Sequence, residues 1–563
     1  MTASTIELGP LAAPFADCSA RLERAGFADA LWSRRLDVWT TDAAVQKLIG
    51  NRLGWLGAVE FATTHLDRLR QLAALVVQDG PTDVVLLGMG GSSLAPEVLK
   101  QVLGVASGHP HFRMLDSTDP DAVRSAMEHA ATSWFILASK SGSTIEPNVM
   151  AAEAQRRLRE AGCEPGSRFI AITDEGTALH RRAREEGMRD VFVNPSDIGG
   201  RYSALSFFGL VPAALMGADL DRLLASAAAM ERACRVANVQ ENPGLSLGAF
   251  MAAGAASGRD KLTILLPARL RAFGLWVEQL IAESTGKHGK GIVPIAGETT
   301  DARFGADRLV VAVTVDGDGP ESSQLDAARG TGTPVLPIAM NDVYDIGAEF
   351  LRWEIATATA GYLLAINPFD EPNVQQAKDA TKALLDVYTK QHRLPFGDPH
   401  GSFDGARLTL SGAAASALDD RAADTFLELL RTNDYFGLLA YLPPDAAPFA
   451  APLEAFRMGV ASHGFATMFG YGPRYLHSTG QLHKGGGNSG VFVIVTAEAS
   501  EDLAIPGEPF SFGVLEMAQA LGDFQSLDRT GRRALHVHLP QRDPALLARV
   551  TQRLLTGIAR RSH

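Results

Sequence analysis

The stretch Asp83-Val-Val-Leu-Leu-Gly-Met-Gly-Gly-Ser-Ser-Leu-Ala-Pro-Glu97 decides the fold. A short apolar run, Asp83–Leu87, ends in a glycine turn, and an amphipathic stretch, Ala95–Leu103, follows it. The pattern predicts a buried strand feeding a helix through a tight loop. The same alternation continues downstream, with strands expected at Trp134–Ala138, Phe169–Ile172 and Val191–Val193 and helices at Ala122–Ala130, Thr144–Glu160 and Ala178–Glu186. Strand–helix alternation implies right-handed crossovers and a parallel sheet covered on both faces.

The rhythm restarts with strands at Leu262–Leu266, Leu309–Val313 and Val335–Ile338 and long helices at Arg269–Glu283 and Val343–Ala365. Two doubly wound units in one chain are therefore expected. After the loop signal Gly397–Gly401, the strands Gly490–Val495 and Ala534–Leu539 predict a C-terminal α/β lobe. Ahead of the first unit, Trp32, Leu36 and Trp39, then Val45, Leu48, Leu53 and Leu56, recur at helical spacing. The expected organisation is an N-terminal helical segment (1–60), α/β units at 61–215 and 216–395, and a lobe at 396–563. No short-period repeat interrupts it.

Composition narrows the function. The 563 residues are 46% apolar and 21% charged, as in an ordinary globular protein. With 52 basic against 64 acidic residues the formal charge is −12, which argues against nucleic acid or an acidic membrane as partner. An anionic ligand must then be held by a local pocket. Cys18, Cys163 and Cys234 form neither a disulfide framework nor a zinc cluster, which points to a reducing, cytoplasmic setting. Met1–Glu7 lacks the basic and apolar regions of a signal peptide, and the apolar run Phe207–Ala218 is too short to span a bilayer.

Four loops carry candidate chemistry. The glycine turn after Leu87 lets backbone N–H groups approach an anion, but Ser93 stands at the third glycine of a dinucleotide fingerprint and no Gly-Lys-Ser/Thr follows. A plain strand–helix turn explains it equally well. In Ser139-Lys-Ser-Gly-Ser-Thr144, hydroxyls cluster with a lysine at a helix start. Ser143 and Glu146 fit a capping box, which accounts for two residues of the set. A phosphate monoester needs several short donors plus a helix dipole, and this loop offers both without calling for magnesium. Asp197-Ile-Gly-Gly-Arg-Tyr-Ser203 presents Arg201 beside flexible backbone, though an arginine there is more often at the surface. In Glu278–Lys287, Glu283 follows Gln279 by one helical turn and is a candidate base; the bland alternative is a solvated helix end with cations near its C-terminus.

Taken together, these loops resemble the glucose-6-phosphate isomerase family, built on paired sugar-isomerase (SIS) domains. The resemblance rests on Gly88–Pro96, Ser139–Thr144, Gly199–Ser203 and Glu283–Lys287, and on Gly361–Lys378, which matches a further family signature. Inside that signature Glu371 replaces the usual glutamine, Asn373 the glycine and Gln375 the glutamate. Most members carry a histidine segment between the glutamate and lysine signatures, whereas the one histidine between Glu283 and Lys378 is His288. Leu476-His-Ser-Thr-Gly-Gln-Leu-His-Lys-Gly-Gly486 is similar to that segment, and Phe510–Leu521 to what normally follows it. This arrangement resembles a permuted form, the isomerase half of transaldolase–glucose-6-phosphate isomerase fusions, with no transaldolase half in these residues. Permutation is tolerable where termini and loops lie at the surface.

The resemblance implies two SIS domains with the C-terminal lobe carrying the displaced histidine, and an aldose–ketose isomerase of glucose 6-phosphate and fructose 6-phosphate. It assigns substrate binding to Gly91, Ser92, Ser139, Lys140, Ser141, Ser143, Thr144 and Gln279, and catalysis to Glu283, His477, Lys378 and Arg201. It requires no cofactor and no metal. His483 is an alternative to His477 for ring opening. The pairs His109/His111 and His536/His538 are each expected to share a strand face rather than to bind metal. The partner is a small hexose 6-phosphate, and monomer and homodimer both remain open, since the relocated segment could serve its own chain. Competing readings are a non-catalytic SIS-type regulator and an isomerase of mannose 6-phosphate or glucosamine 6-phosphate.

Overall fold

The computed structural model describes residues 6–298, 302–444 and 446–560; of the Met1–Glu7 stretch read for a targeting segment, residues 1–5 lie outside the described residues. Strands β1 (Asp83–Leu87), β2 (His111–Leu115), β3 (Ser133–Ala138), β4 (Phe169–Asp174) and β5 (Asp190–Asn194) form a wholly parallel sheet in the order β2-β1-β3-β4-β5. From β1 the chain winds one way and from β3 the other, so the strand order reverses between them. In open α/β sheets ligands bind outside the carboxyl ends of the strands at such a point. The Gly88–Ser93 and Ser139–Thr144 loops leave those two ends.

A second parallel sheet joins β6 (Lys261–Leu265), β7 (Val293–Ala296), β8 (Arg308–Val315) and β9 (Val335–Met340) in the order β7-β6-β8-β9. The third contains β10 (Gly401–Phe403), β11 (Ala406–Leu410), β12 (Tyr435–Tyr441), β13 (Ala466–Tyr471), β14 (Gly490–Ala497) and β15 (Arg533–Leu539). Its order is β10-β11-β15-β14-β12-β13, mixed because β11 runs antiparallel to both neighbours. The α/β class expected from the alternation is what the chain adopts. Among the described residues no helix is long and apolar enough to cross a membrane.

Packing ties the three sheets together. One apolar core runs from the N-terminal helices across one face of the first sheet to the second sheet, through the helices Phe207–Leu215, Pro243–Ala256, Arg271–Thr285 and Ile346–Leu364. The opposite face of the first sheet is covered by Ile145–Glu160 and by Phe512–Arg529, a helix of the C-terminal lobe. Another cluster sets Val293 and Ile295 against Tyr435, Leu476 and Phe492. At about 1.5–3 kcal/mol for each fully buried large apolar side chain, these contacts make the lobe part of one body. Ion pairs reinforce the seam: Arg542 pairs with Asp119 and Asp121, and Arg474 holds Asp116 through two nitrogens at 2.7 and 2.8 Å.

Two expectations fail. The helical spacing of Trp32, Leu36 and Trp39 does not mark a helix, because the helix Phe27–Trp32 stops there and Arg34 takes a positive φ of 54°. Trp39 is spaced instead by tertiary packing, edge-on to Phe369 at 5.1 Å and Tyr362 at 6.2 Å. His109 and His111 do not share a strand face: His109 precedes β2 and bonds Leu215 O at 3.0 Å, while His111 is exposed. His536 and His538 do share a face of β15, both facing Thr496 Oγ1, at 2.8 and 2.9 Å.

Candidate active site

A cavity of about 520 Å³ opens at the reversal of strand order, between the first unit, the helix Arg271–Thr285 and the Arg474–His477 turn of the C-terminal lobe. Two glycines explain how three backbones meet there. Gly90 has φ +54°, and a Cβ on it would lie 2.5 Å from His477 O; a Cβ on Gly91 would lie 2.1 Å from Gly200 O. A side chain at either position would push the histidine segment or the Arg201 loop out of place.

Hydroxyls form part of the cavity wall. Ser139, Lys140, Ser141 and Thr144 line the cavity with Gly91 and Ser92, whereas Ser143 does not and donates its hydroxyl to Ser141 Oγ at 3.0 Å. Ser139 Oγ donates to Thr144 Oγ1 at 3.1 Å and accepts from Gly142 N at 3.1 Å. Thr144 is the residue preceding the helix Ile145–Glu160, yet its side chain makes no cap bond, leaving the helix N-terminus directed at the loop. Such an end favours an anion, and bonds to a charged group contribute about 1.5–3 kcal/mol each. The Lys140 ammonium is turned to Asp174 and to Ser196 O at 2.8 Å, so the loop's own backbone and hydroxyls face the cavity.

A carboxylate among paired cations lines the cavity as well. Glu283 is 9% exposed, and burial raises its carboxyl to about 7, against the pull of Arg201 and with Glu371 adding to the rise. Gln279 Nε2 lies 3.4 Å from Glu283 Oε2 and donates to His477 O at 2.7 Å. The bland reading of a solvated helix end does not hold here. Arg201, for which a surface position is the bland alternative, is 4% exposed and donates to Ser284 Oγ at 2.8 Å, Glu371 Oε2 at 2.9 Å, Pro368 O at 2.8 Å and Asp370 O at 3.0 Å. Its Nη1 also faces Glu283 Oε2 at 3.7 Å. Lys287 is buried against Asn367 O and Asp370 Oδ1, and burial, helped by Arg201, lowers its ammonium to about 8.

His477 lines the same cavity, its Nε2 2.9 Å from Glu146 Oε1. This overturns the capping box of Ser143 and Glu146. Glu146 points inward, is 3% exposed, and also accepts from Gln519 Nε2 at 2.7 Å. Burial pushes its carboxyl up, but the His477 ring, with a smaller push from Lys378, holds it below the usual range. Lys378 is exposed and lines the cavity. His483 does not: it is buried among Tyr435, Tyr475 and Phe492, and burial keeps its ring well below the usual range.

Three contributors escaped the sequence reading. Glu146 is absorbed by the cap pattern, Gln519 lies in the Phe510–Leu521 stretch with no role assigned to it, and Arg52, whose side chain approaches Gly199, lines the cavity.

Residues 76–307 match the family described as phosphoglucose isomerase. The chain is 30% identical over 352 residues to a glucose-6-phosphate isomerase of Parasynechococcus marenigrum, covering 55% of this chain and 64% of that protein. It is 29% identical over 392 residues to one of Citrifermentans bemidjiense, covering 62% and 73%. Against the first relatives the chain spans 64% and 66% of their length. In fold it is similar to a hypothetical protein of Thermus thermophilus (TM-score 0.55, 24% identity, 67% of this chain and 98% of that one). A glucose-6-phosphate isomerase of Chlamydia trachomatis gives a TM-score of 0.52 at 19% identity, over 60% and 75% of the two chains. The resemblance read from the five motifs is thus borne out.

Proposed function

We propose that this relative of the glucose-6-phosphate isomerases interconverts glucose 6-phosphate and fructose 6-phosphate. The observation that carries the reading is one cavity lined both by the hydroxyls of Ser139, Ser141 and Thr144 ahead of a helix N-terminus and by Glu283, Arg201, Gln279 and His477. A phosphate anchored on Ser139, Ser141 and Thr144, with Gly91 and Ser92 nearby, fixes a six-carbon chain relative to Glu283 and lowers the entropic barrier.

His477, steadied by Glu146 and aided by the charge of Lys378, donates a proton to the ring oxygen as the C1–O5 bond breaks, and takes one from the C1 hydroxyl. The Glu283 carboxylate then removes the C2 proton. Electrons move into a C1–C2 double bond, and O1 gains a proton to give the cis-enediol(ate). Returning the proton to C1 while O2 loses its own yields the ketose. A base that titrates near 7 suits this task, since it can both take and return a proton at neutral pH. Arg201 contributes charge to the enediolate oxygens through its Nη1, the guanidinium edge nearest Glu283.

A regulator that merely binds sugar phosphates needs the serine loop but not a buried carboxylate beside a His–Glu pair, so catalysis is the better account. The reading includes the permuted order, with each chain completing its own site, and the sequence-based division at residues 60, 215 and 395, and it carries the cytoplasm as the compartment; its three cysteines are free. Fructose 6-phosphate supplied to the purified chain with glucose-6-phosphate dehydrogenase and its nicotinamide cofactor tests it: steady reduction of the cofactor is expected, and none would reject the reading.

A further inference from the structure

Glu283 is surrounded by three basic side chains, each drawn to another carboxylate. Arg201, from the Gly200–Tyr202 turn, is 2.9 Å from Glu371 and 3.7 Å from Glu283. Lys287, just beyond Glu283's own helix, is 2.7 Å from Asp370. His477, from the C-terminal lobe, is 2.9 Å from Glu146. Gln279 Nε2, 3.4 Å from Glu283 Oε2, is neutral. The ion-pair contact of Glu283 is thus the long 3.7 Å approach of an Arg201 nitrogen that Glu371 holds at 2.9 Å. A carboxylate locked in a short ion pair titrates low and is a weak base.

Of the three diverting carboxylates, Glu371 is the one that competes with Glu283 for the same Arg201 nitrogen, and it lines the cavity. We infer that Glu371 is a positioning residue: it holds the Arg201 Nη1 off Glu283 and adds a like charge beside it, setting the pH range in which Glu283 works as the base. The inference rests on the isomerase reading above. Glu371 need not touch the reacting atoms for this; it acts through Arg201 and through its charge.

The test is the pH dependence of kcat/KM of the full chain from about pH 5.5 to 9. Glu371→Gln keeps the size and the ability to accept from Arg201 but removes the charge; the side chain is 38% exposed, so the exchange disturbs no core. The acid limb should move down by about one pH unit, so the fraction of plateau activity at about pH 6 rises about fivefold. Glu371→Ala should move it the same way, and Glu371→Asp should leave it near the parent position. A limb unmoved in both Gln and Ala variants, or moved equally by Asp, overturns the inference. A parent chain without turnover would instead reject the isomerase reading. The titration of Glu283 is then read by carbon-13 NMR of glutamate-labelled chain, its signal assigned by loss in Glu283→Gln, with the same downward shift expected in Glu371→Gln and no shift overturning the inference.

Discussion

His477 Nε2 and Glu146 Oε1 lie 2.9 Å apart although 331 positions separate them in the chain. The contact joins the C-terminal lobe to the first helix after the serine loop, so the docking of that lobe and the assembly of the site are one event. Gln519, from a third element, bonds the same Glu146 oxygen and fixes the carboxylate's orientation.

Glu146→Gln should therefore slow ring opening more than proton transfer. The amide can still accept a bond from a protonated imidazole but carries no compensating charge, and a loss of at least about tenfold in turnover of the cyclic sugar is expected. Stopped-flow measurement of ring opening, run beside steady-state isomerisation, checks it. Undiminished ring opening would detach Glu146 from His477's task.

Because Glu283 and His477 line one cavity of one chain, mixing the Glu283→Gln and His477→Ala variants should restore no activity. Recovery on mixing, assayed with light scattering of the same sample, would show that sites are shared between chains.

On the proposed phosphate anchoring, Ser139→Ala and Ser141→Ala should each raise KM about tenfold or more with a smaller change in kcat, as expected for losing a bond to a charged group. Arg52→Ala should also raise KM, though less, since its side chain is half-buried at the cavity edge. A fall confined to kcat would argue against phosphate anchoring.

Glu278 tests the electrostatics of the same helix away from the reaction. It is 5% exposed and accepts from Ala296 N at 2.8 Å, and burial raises its carboxyl to about 8, against the pull of that N–H. In the unfolded chain it ionises near 4.5, so folding takes up a proton between these values. Stability from this group is full below about 4.5 and is lost as pH rises through about 8. Glu278→Gln removes that loss, so its melting temperature should fall less between about pH 6 and 9, by roughly 1–3 °C. Parallel melting curves would contradict the burial assignment.

The legible parts of the chain were those set by local physics. β1 lies at Asp83–Leu87 as read, because a continuous apolar run closed by glycines has few other solutions. β2, His111–Leu115, was missed: an edge strand with an exposed histidine and a half-buried arginine carries no alternation. β12, Tyr435–Tyr441, was hidden by Gly437, whose missing side chain makes room for Phe492. Ser139, Arg201, Glu283 and His477, picked out by motifs, line one cavity, whereas the cap pattern misassigns Glu146 because its partner lies in another lobe. Burial of Arg201 likewise depends on Pro368, Asp370 and Glu371, contacts that no local window contains.

The most direct test replaces the one carboxylate on which the chemistry turns. Glu283→Gln, followed by proton NMR of fructose 6-phosphate with the purified chain, should leave the sugar phosphate bound but unconverted, while the parent chain brings it to equilibrium with glucose 6-phosphate. Conversion by the variant at the parent rate would contradict the account.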